Sequence, residues 1–154
     1  IRLCMLMERQ LNYLLNSRLN DKFPPFLNLG VLGLNLGMQA MQFTATSTTA
    51  ENQTLGFPNY VHSIPNNNDN QDIVSMGTNT ALFTRRVIEN SFEVLAIHFI
   101  AIIQAYEFVE DKTKMSSKTK KMYEELRSIV PVFIEDTTKH EEILRMKNYL
   151  MTID

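Results

Sequence analysis

The sequence predicts an all-α fold. Three observations carry this. Apolar residues recur at helical spacing through most of the chain. No stretch shows the apolar–polar alternation of a half-buried strand, and there is no internal repeat. Prolines fall where helical patterns stop, at Pro24-Pro25 and at Pro131.

The first element spans about residues 1–20. Leu3, Met7, Leu11, Leu14, Leu15 and Leu19 share one face, with Glu8, Arg9, Asn12 and Asn16 on the other. Phe23-Pro24-Pro25-Phe26 ends it. Residues 33–56 follow, with Leu34, Met38, Met41 and Ala45 at helical spacing. Thr44, Thr46, Ser47, Thr48 and Thr49 lower helix propensity there, so strand or loop stays open for this stretch taken alone. Gly33 and Gly37, four apart, would permit close helix packing.

Residues 57–77 form one long loop, dictated by Pro58, Pro65 and the amide-rich run Asn66 to Asp72. A loop of that length in a compact domain is usually functional or disordered. Thr78 or Asn79 should cap the next helix, about 80–111. Its second half, from Phe92 to Phe108, is apolar almost all round, so it should be buried on every face. That demands more protein around it than 154 residues supply. Residues 117–130 give an amphipathic helix capped at Ser117 and stopped by Pro131. Thr138-x-x-Glu141 reads as a capping box opening a last helix through Leu150.

Composition narrows the function classes. The chain is 44% hydrophobic, too apolar for intrinsic disorder. Fifteen basic residues against 17 acidic ones leave a net charge of −2, without the basic footprint of a nucleic-acid binder. One cysteine excludes a disulfide scaffold. No signal-peptide core follows Arg2, since Glu8 and Arg9 interrupt the apolar run. The most apolar window, Val94 to Val109, is broken by His98, Gln104 and Glu107, which favours a buried helix over a membrane span. Asn52-Gln53-Thr54 matches a glycosylation sequon by chance on this reading. A cytoplasmic setting is expected.

Several motifs fail on inspection. Gly30-x-x-Gly33-x-x-x-Gly37 has neither dinucleotide nor phosphate-loop spacing. The Asn/Asp run lacks the glycine and glutamate of a calcium loop. His62, His98 and His140 are scattered, so no metal is expected, and His98 on an apolar helix reads as a core histidine. Cys4 reads as a small core residue and the Lys112–Lys121 stretch as a solvated face.

One constellation survives. It comprises Glu8-Arg9, Pro24-Pro25-Phe26-Leu27, Gly33-Leu34-Asn35-Leu36-Gly37-Met38-Gln39-Ala40-Met41-Gln42-Phe43-Thr44-Ala45 with Ala50-Glu51-Asn52, and Ser63-Ile64-Pro65 with Asn70-Gln71-Asp72-Ile73-Val74-Ser75-Met76-Gly77. In order and spacing these blocks resemble the C-terminal half of the aromatic amino acid ammonia-lyases: the histidine, phenylalanine and tyrosine enzymes and the related aminomutases. Leu36 departs from the serine common at that place.

The resemblance implies a large, mostly helical homotetramer. It implies a methylidene-imidazolone electrophile made from an internal Ala-Ser-Gly, and a tyrosine base on another segment. The β-hydrogen of an amino acid is weakly acidic, so this chemistry needs an electron sink and a positioned base together. Neither is here: the sequence contains no Ala-Ser-Gly, and the family's tyrosine loops lie upstream of the matching part. No catalytic residue is therefore expected within residues 1–154, which read as one helical fragment of a longer subunit. The start in mid-helix at Ile1, without methionine or cap, agrees with that expectation.

What the chain should contribute is the amide loop. By resemblance, Asn70 and Gln71 fall on the family's Asn-Gln pair beside the prosthetic group, and Asn67 on the polar residue four before the glutamine. Neutral amides donate and accept at once without burying charge. On composition alone, the same residues would merely stitch a loop. Glu51 and Glu8-Arg9 read as structural. Glutamine at 71, where histidine enzymes typically carry glutamate, favours an aryl substrate over imidazole.

The expected partners are the rest of the subunit, sister subunits and a small amino acid, with neither nucleic acid nor membrane. An aromatic amino acid 2,3-aminomutase, and a non-catalytic helical oligomerisation module, are the alternatives.

Overall fold

The computed structural model describes residues 1–154 except Ser63, Asp69, Asp72, Ile73 and Asp154. Three of these, Ser63, Asp72 and Ile73, belong to the blocks that carry the resemblance, and Asp69 to the run weighed for calcium. All therefore lie outside the described residues. The fold is all-α, with six α-helices and two isolated bridges among the described residues.

Helix α1 runs Arg2–Leu15 and buries Cys4, Leu11 and Leu15. The expected single helix over 1–20 is broken at Asn16, which is extended (φ −99°, ψ 98°). Its side-chain oxygen accepts from the Arg18 N–H at 3.1 Å, so Asn16 caps the short α2, Ser17–Asn20. Asparagine competes with the helix ladder for backbone groups, and here it wins. Buried Asn20 then donates from Nδ2 to the carbonyls of Tyr13 and Asn16, each at 2.9 Å, and satisfies the end of α1. Pro25–Leu27 makes one 3₁₀ turn, as the proline stop predicts.

Helix α3 is Gln39–Leu55 and begins six residues later than expected. Residues 31–37 form a turn closed by Leu32 and Asn35, with φ +88° at Gly33 and +58° at Gly37. These glycines serve left-handed backbone, not helix packing. Gly37 also sits where a Cβ would lie 2.7 Å from the Phe26 carbonyl oxygen. The threonines of α3 remain helical. Thr44 and Thr54 donate back to the carbonyls four residues earlier at 3.3 Å, and Thr48 and Thr49 turn to the core.

Helix α4, Gly77–Ala105, is the central element and packs against α1, α3 and α6. Neither Thr78 nor Asn79 caps it. The helix starts ahead of both, after Met76 in left-handed conformation (φ 51°), and the Thr80 hydroxyl donates to the Met76 carbonyl at 3.0 Å. It ends at Ala105 in a 3₁₀ turn, Tyr106–Phe108, short of the expected 111.

By length and composition the run Gly77–Phe108 could cross a membrane. Half of its most apolar window is buried inside the protein. Val94, Ile97, His98, Ile100 and Gln104 are buried. Burial on every face is not observed, because Ile102 is 42% exposed.

Helix α5, Ser117–Ile129, is capped by Ser116, not Ser117: the Ser116 hydroxyl accepts from the Thr119 N–H at 3.2 Å. Helix α6, His140–Thr152, starts two residues beyond the expected cap, so the Thr138–Glu141 box does not form. Lys139 precedes it and bonds Glu142 at 3.2 Å, while Glu141 and Glu142 place negative charge in the first turn, where the helix dipole favours it.

Candidate functional site

Between α3 and α4 the chain makes a 3₁₀ turn at Asn59–Val61 and then a hairpin. The Asn66 N–H donates to the Gln71 carbonyl at 2.8 Å, and the Gln71 N–H donates to the Asn66 carbonyl at 3.1 Å. Inside, the Asn70 N–H donates to the Asn67 carbonyl at 3.1 Å. Asn67 and Asn68 have φ of 56° and 54°, a conformation asparagine tolerates better than most residues. The run of asparagines thus builds the turn with its backbone.

The side chains of Asn67, Asn70 and Gln71 are exposed on this hairpin, a few residues before Gly77 opens α4. The hairpin brings these three sequence-derived residues together. At its base, a cleft of about 730 Å³ lies between Leu55–Tyr60 and the first turns of α4. Asn67, Asn70 and Gln71 do not line it. Asn59 spans it, donating from Nδ2 to the Thr80 hydroxyl at 3.3 Å.

The remaining residues singled out from sequence take structural places. Glu51 pairs with Arg86 at 3.1 Å on the exposed face of α3. The hydrogen bond from Arg86 holds the Glu51 carboxyl below its usual range and raises Arg86 in return. Glu8 accepts from the Thr46 hydroxyl at 3.3 Å. Cys4 is fully buried, with its sulfur 3.3 Å from the Thr49 hydroxyl oxygen. His98 is buried in α4, and desolvation pushes its pKa down. Among the described residues no three acidic, histidine or cysteine side chains converge as a metal site would require.

Two features escaped the sequence. One is an ionic cluster at the α4–α5 junction. Glu107 accepts from Tyr123 at 2.5 Å, Arg127 at 2.7 Å and Lys112 at 3.0 Å. Tyr123 and Arg127 stand four apart on one face of α5, and Arg127 donates to the Tyr123 hydroxyl at 3.2 Å, but Glu107 comes from another element. The other is a cavity of about 470 Å³ between α3, α4 and the segment 133–147. Asp136 closes its edge, accepting from the N–H groups of Leu36 at 2.7 Å and Gly37 at 3.0 Å. Nothing local marks a contact across a hundred residues.

Comparison with known proteins gives this geometry its setting. Residues 1–128 match the family model described as aromatic amino acid lyase. A histidine ammonia-lyase of Staphylococcus saprophyticus is 42% identical over 146 residues, covering 95% of this chain and 29% of that enzyme. A methylidene-imidazolone-dependent tyrosine 2,3-aminomutase of Streptomyces globisporus is 39% identical over 139 residues, covering 90% of this chain and 26% of that enzyme. The phenylalanine aminomutase structure from Pantoea agglomerans superposes with a TM-score of 0.90 at 28% identity, over 98% of this chain and 29% of that one. The chain thus spans less than a third of the length of the relatives it matches. With the family model covering most of its residues and the fold shared throughout, the chain belongs to the aromatic amino acid lyase family.

Proposed function

We propose that this chain is the C-terminal helical part of a subunit that eliminates ammonia from an aromatic amino acid. On this reading Asn67, Asn70 and Gln71 line the pocket that holds the substrate. The observation that carries the proposal is the amide hairpin. Its turn is closed by backbone hydrogen bonds, and its three side chains stand exposed within the segment that matches the family.

A methylidene-imidazolone, made from an Ala-Ser-Gly elsewhere in the subunit, would supply the electron sink. The residues present suit a place beside it. Asn70 and Gln71 offer N–H donors to a substrate carboxylate and carbonyl acceptors to its ammonium group. Because both are neutral, closing the pocket over them strands no charge. The base that removes the β-proton belongs to a part of the subunit outside these residues.

Exposed apolar side chains support docking onto the rest of the subunit and its sister subunits. Val31, Leu32, Leu34 and Phe43 are 64–77% exposed around the start of α3.

The full-length protein should convert phenylalanine, tyrosine or histidine to the ultraviolet-absorbing unsaturated acid with release of ammonia, and residues 1–154 alone should not. Failure of the full-length protein on all three would overturn the proposal, as would activity from the isolated chain. The 39% identity to an aminomutase favours a second reading, in which ammonia returns to the β-carbon. Chromatography for β-tyrosine or β-phenylalanine separates the two.

A further inference from the structure

We propose that the cavity between α3, α4 and α6 binds a small zwitterion with an apolar body, an α-amino acid carrying a hydrocarbon side chain. The inference goes beyond the function proposed above and does not depend on it. The cavity shares no residue with the amide hairpin.

Its size of about 470 Å³ lies in the range of small-molecule pockets. Met41, Phe133, Ile143 and Leu144 supply apolar wall. Five ionisable residues face it: Glu93, Asp136, Lys139, His140 and Lys147. Two of them are already engaged. Asp136 holds the Leu36 and Gly37 amides. Lys139 bonds Glu142 and lies 4.6 Å from the centre of the Phe133 ring. His140 stands exposed at the rim.

Glu93 and Lys147 are different. They approach to only 3.9 Å, beyond hydrogen-bond reach, although their side chains are just 31% and 18% exposed. One Glu93 oxygen accepts from Thr48 at 3.1 Å, and the other faces Lys147. A carboxylate and an ammonium held apart in a partly desolvated cavity make an incomplete pair. An amino acid completes it: its ammonium donates to Glu93, and its carboxylate accepts from Lys147. One long contact is exchanged for two charge-assisted hydrogen bonds. A ligand with a single charge would serve one partner and strand the other, and a purely apolar one would desolvate both.

The test is calorimetric titration of the full-length protein with L-leucine. Leucine is chosen for its hydrocarbon side chain, and a Gln71→Ala arm separates this cavity from the proposed substrate site. Saturable binding is expected. Lys147→Met and Glu93→Gln should each weaken it about tenfold or more, while Lys147→Arg retains it. Ala40→Phe, which fills the cavity from an exposed position of α3, should abolish binding and leave thermal unfolding unchanged. Gln71→Ala should not alter it. The proposal is overturned by any of four results: no binding at millimolar leucine, equal binding of isopentylamine or 4-methylpentanoate, binding indifferent to Lys147→Met and Ala40→Phe, or binding lost in Gln71→Ala.

Discussion

Arg127 reaches from α5 to Glu107 at the end of α4, Nη2 to Oε1 at 2.7 Å, with both side chains less than one-fifth exposed. The same Nη2 donates to the Ile103 carbonyl at 2.6 Å, so one guanidinium holds both the acid and the last turn of the long helix. Tyr123 adds a hydroxyl donor to Glu107 and packs edge-on against Tyr106, with ring centroids 4.8 Å apart. This cluster, beside the buried Leu126, joins α5 to α4.

Removing one partner should therefore be costly. Arg127→Met leaves a partly buried carboxylate facing only Lys112 and Tyr123, and should lower stability by about 2–4 kcal/mol. Urea denaturation of the wild type and variant measures this. A loss under about 0.5 kcal/mol would show that the pair adds nothing over solvent, as exposed pairs do.

The same site gives a pH dependence. Burial alone would raise the Glu107 pKa, but hydrogen bonds from Tyr123, Lys112 and Arg127 outweigh it and hold the carboxyl below its usual value. A depressed carboxylate contributes stability above its unfolded pKa and loses it as pH falls through the folded one. The α4–α5 junction should hence be stable at neutral pH and weaken below about pH 4.5. In Glu107→Gln the acid-side slope of stability should flatten. An unchanged slope would assign acid unfolding to other carboxylates, Glu142 among them, whose pKa is also lowered.

Gly37 cannot accept a side chain. Its φ is +58°, and an added Cβ would lie 2.7 Å from the Phe26 oxygen, which itself accepts from the Met38 N–H at 3.0 Å. Gly37→Ala should destabilise by about 2 kcal/mol or more and loosen the start of α3. Asp136→Ala should act on the same turn from the other side, freeing the Leu36 and Gly37 amides, and hydrogen exchange at those two positions should quicken. Equal exchange in both proteins would mean that the turn holds without the carboxylate.

Gln71→Glu in the full-length protein should shift preference toward an imidazole substrate or slow turnover of aryl ones by roughly tenfold. Unchanged kcat/KM for histidine, phenylalanine and tyrosine would mean that Gln71 only shapes the hairpin.

The class of fold and the rough extent of α4, α5 and α6 followed from periodicity and proline, because those signals act within a few residues. The helix boundaries did not. Asn16 falls on the polar face of the helical pattern, but its side chain caps the next turn and breaks the helix. Thr138 and Glu141 have the spacing of a capping box, yet Lys139 opens α6 instead. Local capping signals are worth about a kilocalorie, which neighbouring contacts readily override.

By itself, the sequence determined an all-α chain, and the position and chemical kind of the amide residues Asn67, Asn70 and Gln71. Only the tertiary structure decided which polar groups meet. The Asp136 clamp on Leu36, the Glu107–Arg127 junction and the loose Glu93–Lys147 pair each join segments far apart in the chain. The Glu93–Lys147 pair forms because α6 packs on α4, the Glu107–Arg127 junction because α5 does, and the Asp136 clamp because the segment before α6 crosses the turn before α3. No local pattern encodes them.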